Sequence, residues 1–218
     1  MNKVCILRIT LMVLSCLFVS IILLIPSISL RLNGNMENQE LQNSIFYMLP
    51  FIGMLLVMAF FNKKFKLALF NINDKPIKSK ALFEAIALGI MWQAFTYLIF
   101  RLQGEYPHAK SIPSIPIVIL NIIGSCIVCP FAEELLFRKA IVDIMLKGTF
   151  KKVTIILVSS ILFFCGHFSD SIIRIDTFLF AIPLCLMYMK YKDIRYCFVT
   201  HMVDSLLAIG LSYTLTII

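Results

Sequence analysis

The sequence predicts an all-α fold, a polytopic transmembrane bundle of about seven helices, within a range of six to eight. Three observations predict it. Of 218 residues, 60% are hydrophobic and 15% charged, whereas a soluble domain holds roughly 45–50% apolar and about 25% charged residues. The mean hydropathy is +0.92. The apolar residues also collect in runs, at 9–30, 44–62, 81–100, 114–129, 130–147, 153–168, 175–190 and 197–217, each close to the ~20 residues a helix needs to cross a bilayer.

The runs are justified in order. The first follows Lys3 and Arg8 and ends in "PSISLRLNG" without a small-x-small cleavage pattern, so it reads as a retained helix and not a signal peptide. The loop at 62–80 holds Lys63, Lys64, Lys66, Lys75, Lys78 and Lys80 and is the strongest cytoplasmic signal in the chain. The loops at 31–43 and 102–113 are poorer in cations and read as external, which puts the N-terminus in the cytoplasm of a multi-pass cell-membrane protein. Residues 1–113 thus supply three N-terminal membrane helices and residues 114–218 the rest of one integral domain. The net charge of +8 lies mostly in short loops. It writes membrane topology and gives no reason to expect nucleic acid; the partner it implies is the lipid bilayer.

Residues 114–147 would run about 51 Å as one helix at 1.5 Å per residue, well beyond a hydrocarbon core of about 30 Å. They form either one long helix kinked at Pro130 or two segments meeting there. Proline removes an N–H and clashes with the carbonyl four residues back, here Cys126. A seven-helix reading puts Lys147, Lys151, Lys152, Lys190, Lys192 and Arg195 in the cytoplasm; an eight-segment reading puts the first three outside. The seven cysteines lie in or beside apolar runs. They read as small packing residues rather than a disulfide framework, the C-x-x-C of Cys126 and Cys129 included.

Ionisable side chains within apolar runs are costly and face a protein interior or a wet cavity. Here they are Glu133, Glu134, Arg138, His167, His201 and Asp204. Glu134 and Arg138, at i and i+4, share a helix face and can pair. Glu133 lies about 100° around the helix, which leaves it available as a base. Phe163 and His167 are also i, i+4, and a turn at 147–152 would bring His167 to the depth of Glu133. His201 shares a face with Asp204 and Ser205, but straight helices place it about four residues into its segment, far in depth from His167. Bringing both histidines to one site calls for a re-entrant 168–176 stretch or a dipping 190–196 loop. Lys139, Asp143 and Lys147 read as a solvated ladder, Glu84 as interfacial, and His108 falls in a loop.

The chain resembles the CaaX protease and bacteriocin-processing family, also called Abi, of intramembrane proteases. Its E-E-x-x-x-R motif is matched by Glu133, Glu134 and Arg138, and its F-x-x-x-H motif by Phe163 and His167. Its H-x-x-x-N or H-x-x-x-D motif is matched at His201, but Ser205 holds the fourth position on and Asp204 comes one residue early. The resemblance covers roughly residues 115–210. It implies that Glu133 and His167 activate a water for attack on a peptide carbonyl, while His201 and the residue four on stabilise the oxyanion. Glu133, His167 and His201 also make a credible divalent-metal set, zinc for example; the residue types leave open whether one is used.

The leading expectation is therefore an endopeptidase acting on a peptide or a membrane-protein substrate, in bacterial peptide maturation or bacteriocin self-immunity given the chain's small size. A non-catalytic immunity protein that keeps the fold is the alternative. A proton-linked transporter is a third, disfavoured by the absence of Gly/Pro-broken helix pairs in two matching halves.

Overall fold

The computed structural model describes residues 2–33, 36–71, 76–102, 114–167 and 175–214. Among these residues the chain is all-helical, with seven helices: α1 (Asn2–Asn33), α2 (Met36–Phe65), α3 (Ser79–Leu102), α4 (Ile115–Lys147), α5 (Lys152–Gly166), α6 (Ile175–Tyr191) and α7 (Ile194–Thr214). Five of them, α1, α2, α3, α4 and α7, contain stretches long and apolar enough to cross a membrane. Only 17% to 28% of each such stretch is buried in the protein. The exposed large hydrophobic side chains on these helices are mostly Leu, Ile and Phe, a covering that suits lipid and not water.

Residues 114–147 settle as one helix. Two stretches of α4 widen to π geometry, Ile123–Val128 just before Pro130 and Leu135–Val142 just after the paired glutamates. The first ends with the Cys129 N–H bonded to the Gly124 carbonyl, five residues back. The helix thus passes the proline with a local change of pitch instead of breaking. At the second, the Ser159 hydroxyl of α5 donates to the Phe137 carbonyl at 2.9 Å. That bond ties the widened stretch to the neighbouring helix.

The helices alternate in direction, and their ends register. Arg8 of α1 lies 5.1 Å from the Phe65 ring at the end of α2. The Lys78 N–H, just before α3, donates to the Tyr196 hydroxyl of α7 at 2.9 Å. Glu84 of α3 accepts from Lys190 and Tyr191 at the end of α6, at 2.7 and 2.5 Å. At the opposite end Ser44 of α2 donates to Asn121 of α4 at 2.8 Å, and Asn121 donates to Tyr213 of α7 at 3.2 Å.

Helix α3 meets α7 through small residues. Ala81, Ala85 and Gly89, four apart, are all buried. A methyl group at Gly89 would stand 2.6 Å from the Thr200 carbonyl oxygen, so the two backbones touch there. The Thr200 hydroxyl donates to the Ala85 carbonyl at 2.9 Å.

Several expectations are corrected. The 31–43 segment is helical apart from residues 34–35, which lie outside the described residues; its Glu and Gln residues are good helix formers. Helix α2 runs on through Lys63 and Lys64. Asp143 is no solvated rung but accepts a 2.9 Å hydrogen bond from Tyr188 of α6. Only residues 192 and 193 join α6 to α7, so no dipping loop forms at 190–196. Instead α7 starts early, at Ile194, which puts His201 two turns in. The proposed re-entrant stretch and His108 lie largely or wholly outside the described residues.

Candidate active site

Glu133 and Glu134 occupy the middle of α4, between its two widened stretches, and both are buried. They face different partners. Glu134 Oε2 lies 3.2 Å from Arg138 Nε, and both side chains are 0% exposed. Its other oxygen, Oε1, lies 3.0 Å from His201 Nδ1. Arg138 also stacks on Phe163, its Cζ 4.4 Å from the ring centroid. Glu134 is thereby held between a cation on its own helix and an imidazole from α7, by an ion pair on Oε2, which makes no hydrogen bond, and by a hydrogen bond on Oε1.

Glu133 faces both histidines. Its Oε1 lies 3.5 Å from His167 Nε2 and its Oε2 3.7 Å from His201 Nε2. Oε2 is buried without a hydrogen bond to the protein. The Cys129 thiol, one turn earlier on α4, donates to Oε1 at 3.4 Å. Tyr47 of α2 in turn donates to that sulfur at 4.0 Å.

Each histidine reaches this point for a local reason. His167 caps the C-terminal end of α5. At 15 residues this helix is about 22 Å long, too short to cross a core of about 30 Å. Its end therefore stops inside the bundle, at the depth of Glu133. The ring is seated on Phe163, with centroids 4.4 Å apart, and its Nδ1 lies 2.9 Å from the Phe163 carbonyl. A carbonyl only accepts, so Nδ1 carries the hydrogen. In the neutral ring Nε2 is then a lone-pair acceptor turned toward Glu133. His201 is fixed the same way, with Nδ1 on Glu134 and its ring edge-on to Phe180 at 5.5 Å. Two carboxylates face its two nitrogens: Nδ1 is hydrogen-bonded to Glu134, while Nε2 stands 3.7 Å from Glu133 Oε2, beyond hydrogen-bond reach.

Beside the cluster lies a cavity of about 410 Å³. Aromatic side chains, Trp92, Phe163 and Phe180 among them, form much of its wall, and Asp204 and Ser205 line it with His167 and His201. His167 is 26% exposed on its side chain, against 6% for Glu133, so the imidazole faces the open volume while the carboxylate sits behind it.

The structure thus brings Glu133, Glu134, Arg138, His167 and His201 into one cluster and sets Asp204 and Ser205 along the adjoining cavity. The two Nε2 atoms address opposite oxygens of Glu133; among the described residues no group of three or more His, Cys, Asp or Glu side chains is arranged to hold a metal ion. Sequence reasoning missed Cys129 and Tyr47. Cys129 was legible in principle, because it stands four residues before Glu133. Tyr47 carried no signal, since its position depends on how α2 packs against α4. All seven cysteines are free thiols, six of them buried.

The comparison with known families meets this geometry on the same stretch. Residues 115–207 match the family model described as type II CAAX prenyl endopeptidase Rce1-like. That segment is an Rce1-like domain. It begins with α4, takes in the whole cluster and the α5 and α6 helices, and ends within α7, a little under half of the chain. No curated protein and no solved structure matches the chain. The Rce1-like domain is of the CAAX intramembrane-protease kind, and with the apolar helices α1, α2 and α3 it makes a multi-pass membrane protein.

Proposed function

We propose that the chain is an intramembrane endopeptidase in which Glu133 is the general base. A water between Glu133 and His167 gives a proton to the carboxylate as its oxygen attacks the peptide carbonyl carbon. His167 Nε2, a hydrogen-bond acceptor in the neutral ring, orients that water. The developing oxyanion takes a hydrogen bond from His201 Nε2–H, and Glu134 holds the His201 ring from its far side. As the intermediate collapses, the C–N bond breaks and the proton held by Glu133 passes to the leaving amine. A positioned base contributes about 10²–10⁴-fold to such a step, and one oxyanion donor about 10²–10³-fold.

The observation that carries this reading is the difference in neighbours between adjacent carboxylates: Glu134 lies between the Arg138 cation and His201, while Glu133 has no cation beside it and faces two imidazoles that line a cavity. The substrate is a peptide or a membrane-protein segment, and the role peptide maturation or self-immunity against a bacteriocin. The deciding comparison is of the peptides released by cells carrying wild-type or Glu133→Gln protein at equal abundance. The processed peptide should disappear with the variant. Identical peptide sets would end the proposal.

Ser205, standing where the resembled motif carries Asn or Asp, favours one second reading: a non-catalytic immunity protein. Protection that persists in both Glu133→Ala and His167→Ala would select it over the protease.

A further inference from the structure

The two ends of the bundle differ in charge. The contacts of Arg8 with Phe65, Lys78 with Tyr196 and Glu84 with Lys190 place the start of α1, the end of α2, the start of α3, the end of α6 and the start of α7 at one end. The turn after α4 joins them, because a side chain at Gly148 would meet Cys5 of α1 at 3.0 Å. That end carries Lys63 and Lys64 closing α2, and Lys78 and Lys80 opening α3. Lys147, Lys151 and Lys152 flank the α4–α5 turn, and Lys190, Lys192 and Arg195 flank the α6–α7 turn. At the other end the cation whose side chain is described is Arg101. Such an asymmetry orients a membrane protein with its basic end in the cytoplasm.

The cavity lies toward the other end. Helix α3 lines it from Trp92 to Phe100, its later half, and α7 from His201 to Leu211. From α4 come Ser125 and Cys129, before the glutamates; from α6 come Asp176 and Thr177 in its first turn; from α2 comes Tyr47, five turns from Lys64. None of the basic-end residues lines it. Cys129, His167 and His201, the residues that contact Glu133, line its inner part, and the exposed edge of His167 looks into it.

We infer that the site is entered from the extracytoplasmic side of the membrane. Resting on the protease reading above, this narrows the substrate class: the bond cleaved belongs to an exported peptide or to the outer part of a membrane-spanning one. A peptide confined to the cytoplasm is not a substrate.

The test reads sidedness without turnover. Single cysteines replace Gln93 and Ala208 in the cavity, and Lys64 and Lys192 at the basic end, in a chain whose native cysteines are changed to alanine. A membrane-impermeant sulfonated maleimide is applied to spheroplasts and to inverted vesicles. Gln93→Cys and Ala208→Cys should label at least tenfold faster in spheroplasts, and Lys64→Cys and Lys192→Cys at least tenfold faster in inverted vesicles. Cavity labelling that is equal from both sides, or faster from the side that labels Lys64→Cys, overturns the inference. If the cysteine-free chain does not accumulate, the same substitutions are made in the native chain and the wild-type signal is subtracted. A protein that cleaves nothing still labels, so failure of the protease reading and failure of the sidedness are distinguishable.

Discussion

The α3–α7 seam and the Glu133–Glu134 cluster are both helix contacts within one bundle, and they are built on opposite principles. At the seam, alanines and a glycine let backbones touch, and one threonine hydroxyl supplies the cross-helix bond. At the cluster, two carboxylates, a guanidinium and two imidazoles converge between α4, α5 and α7. The seam could be apolar throughout and lose little. The cluster is costly to bury and stands only because each charge is met by another. Within a fold that has a cheaper way to join helices, a cluster of this kind is explained by the proposed chemistry better than by helix association.

Substitutions at three positions would sharpen or break that contrast. Arg138→Ala leaves Glu134 buried beside no cation, and removing one partner of a buried pair costs about 3–5 kcal/mol. We expect a large fall in thermal stability in detergent and in folded yield. Arg138→Lys should rescue it only in part, because an ammonium cannot reproduce the planar group lying over Phe163. A variant as stable as wild type would show that the cluster is not charge-locked. Gly89→Ala drives a methyl into the Thr200 carbonyl, a backbone atom with little freedom to yield, and overpacking of this kind costs about 1–3 kcal/mol. Its melting temperature should fall while cleavage per folded molecule is kept. An unchanged melting point would mean the seam is looser than its geometry. Tyr188→Phe removes the hydrogen bond to Asp143, worth about 0.5–1.5 kcal/mol. The same melting assay should show a small drop, and no drop would return Asp143 to the solvated ladder first read for it.

What could be read from the sequence was local. The Glu134–Arg138 pairing and the Phe163–His167 seat are relations of residues four apart, and helical geometry alone brings them together. The depth match between Glu133 and His167 needed only a short turn between antiparallel helices. What could not be read depended on distant packing. Periodicity of 3.6 has no way to announce the π stretches around Pro130 and the glutamates. The early start of α7 at Ile194 was hidden because Asp193 and Arg195 interrupt the apolar run there. Their side chains pair with each other at 2.7 Å, which lets the helix begin before its hydrophobic stretch does. Tyr188 stands 45 residues from Asp143, and no spacing rule spans that gap.

The shortness of α5 has a consequence for the lipid around it. Val153, Leu157 and Ile161 form an outward stripe on this helix, so acyl chains pack against a wall that ends short of the full hydrocarbon depth. A bilayer meets such a mismatch by thinning locally or by letting polar flanking groups reach in, at a cost of a fraction of a kcal/mol per Å. The wall beside His167 is therefore a place where membrane thickness acts on the bundle, and through it on the imidazole that faces the cavity.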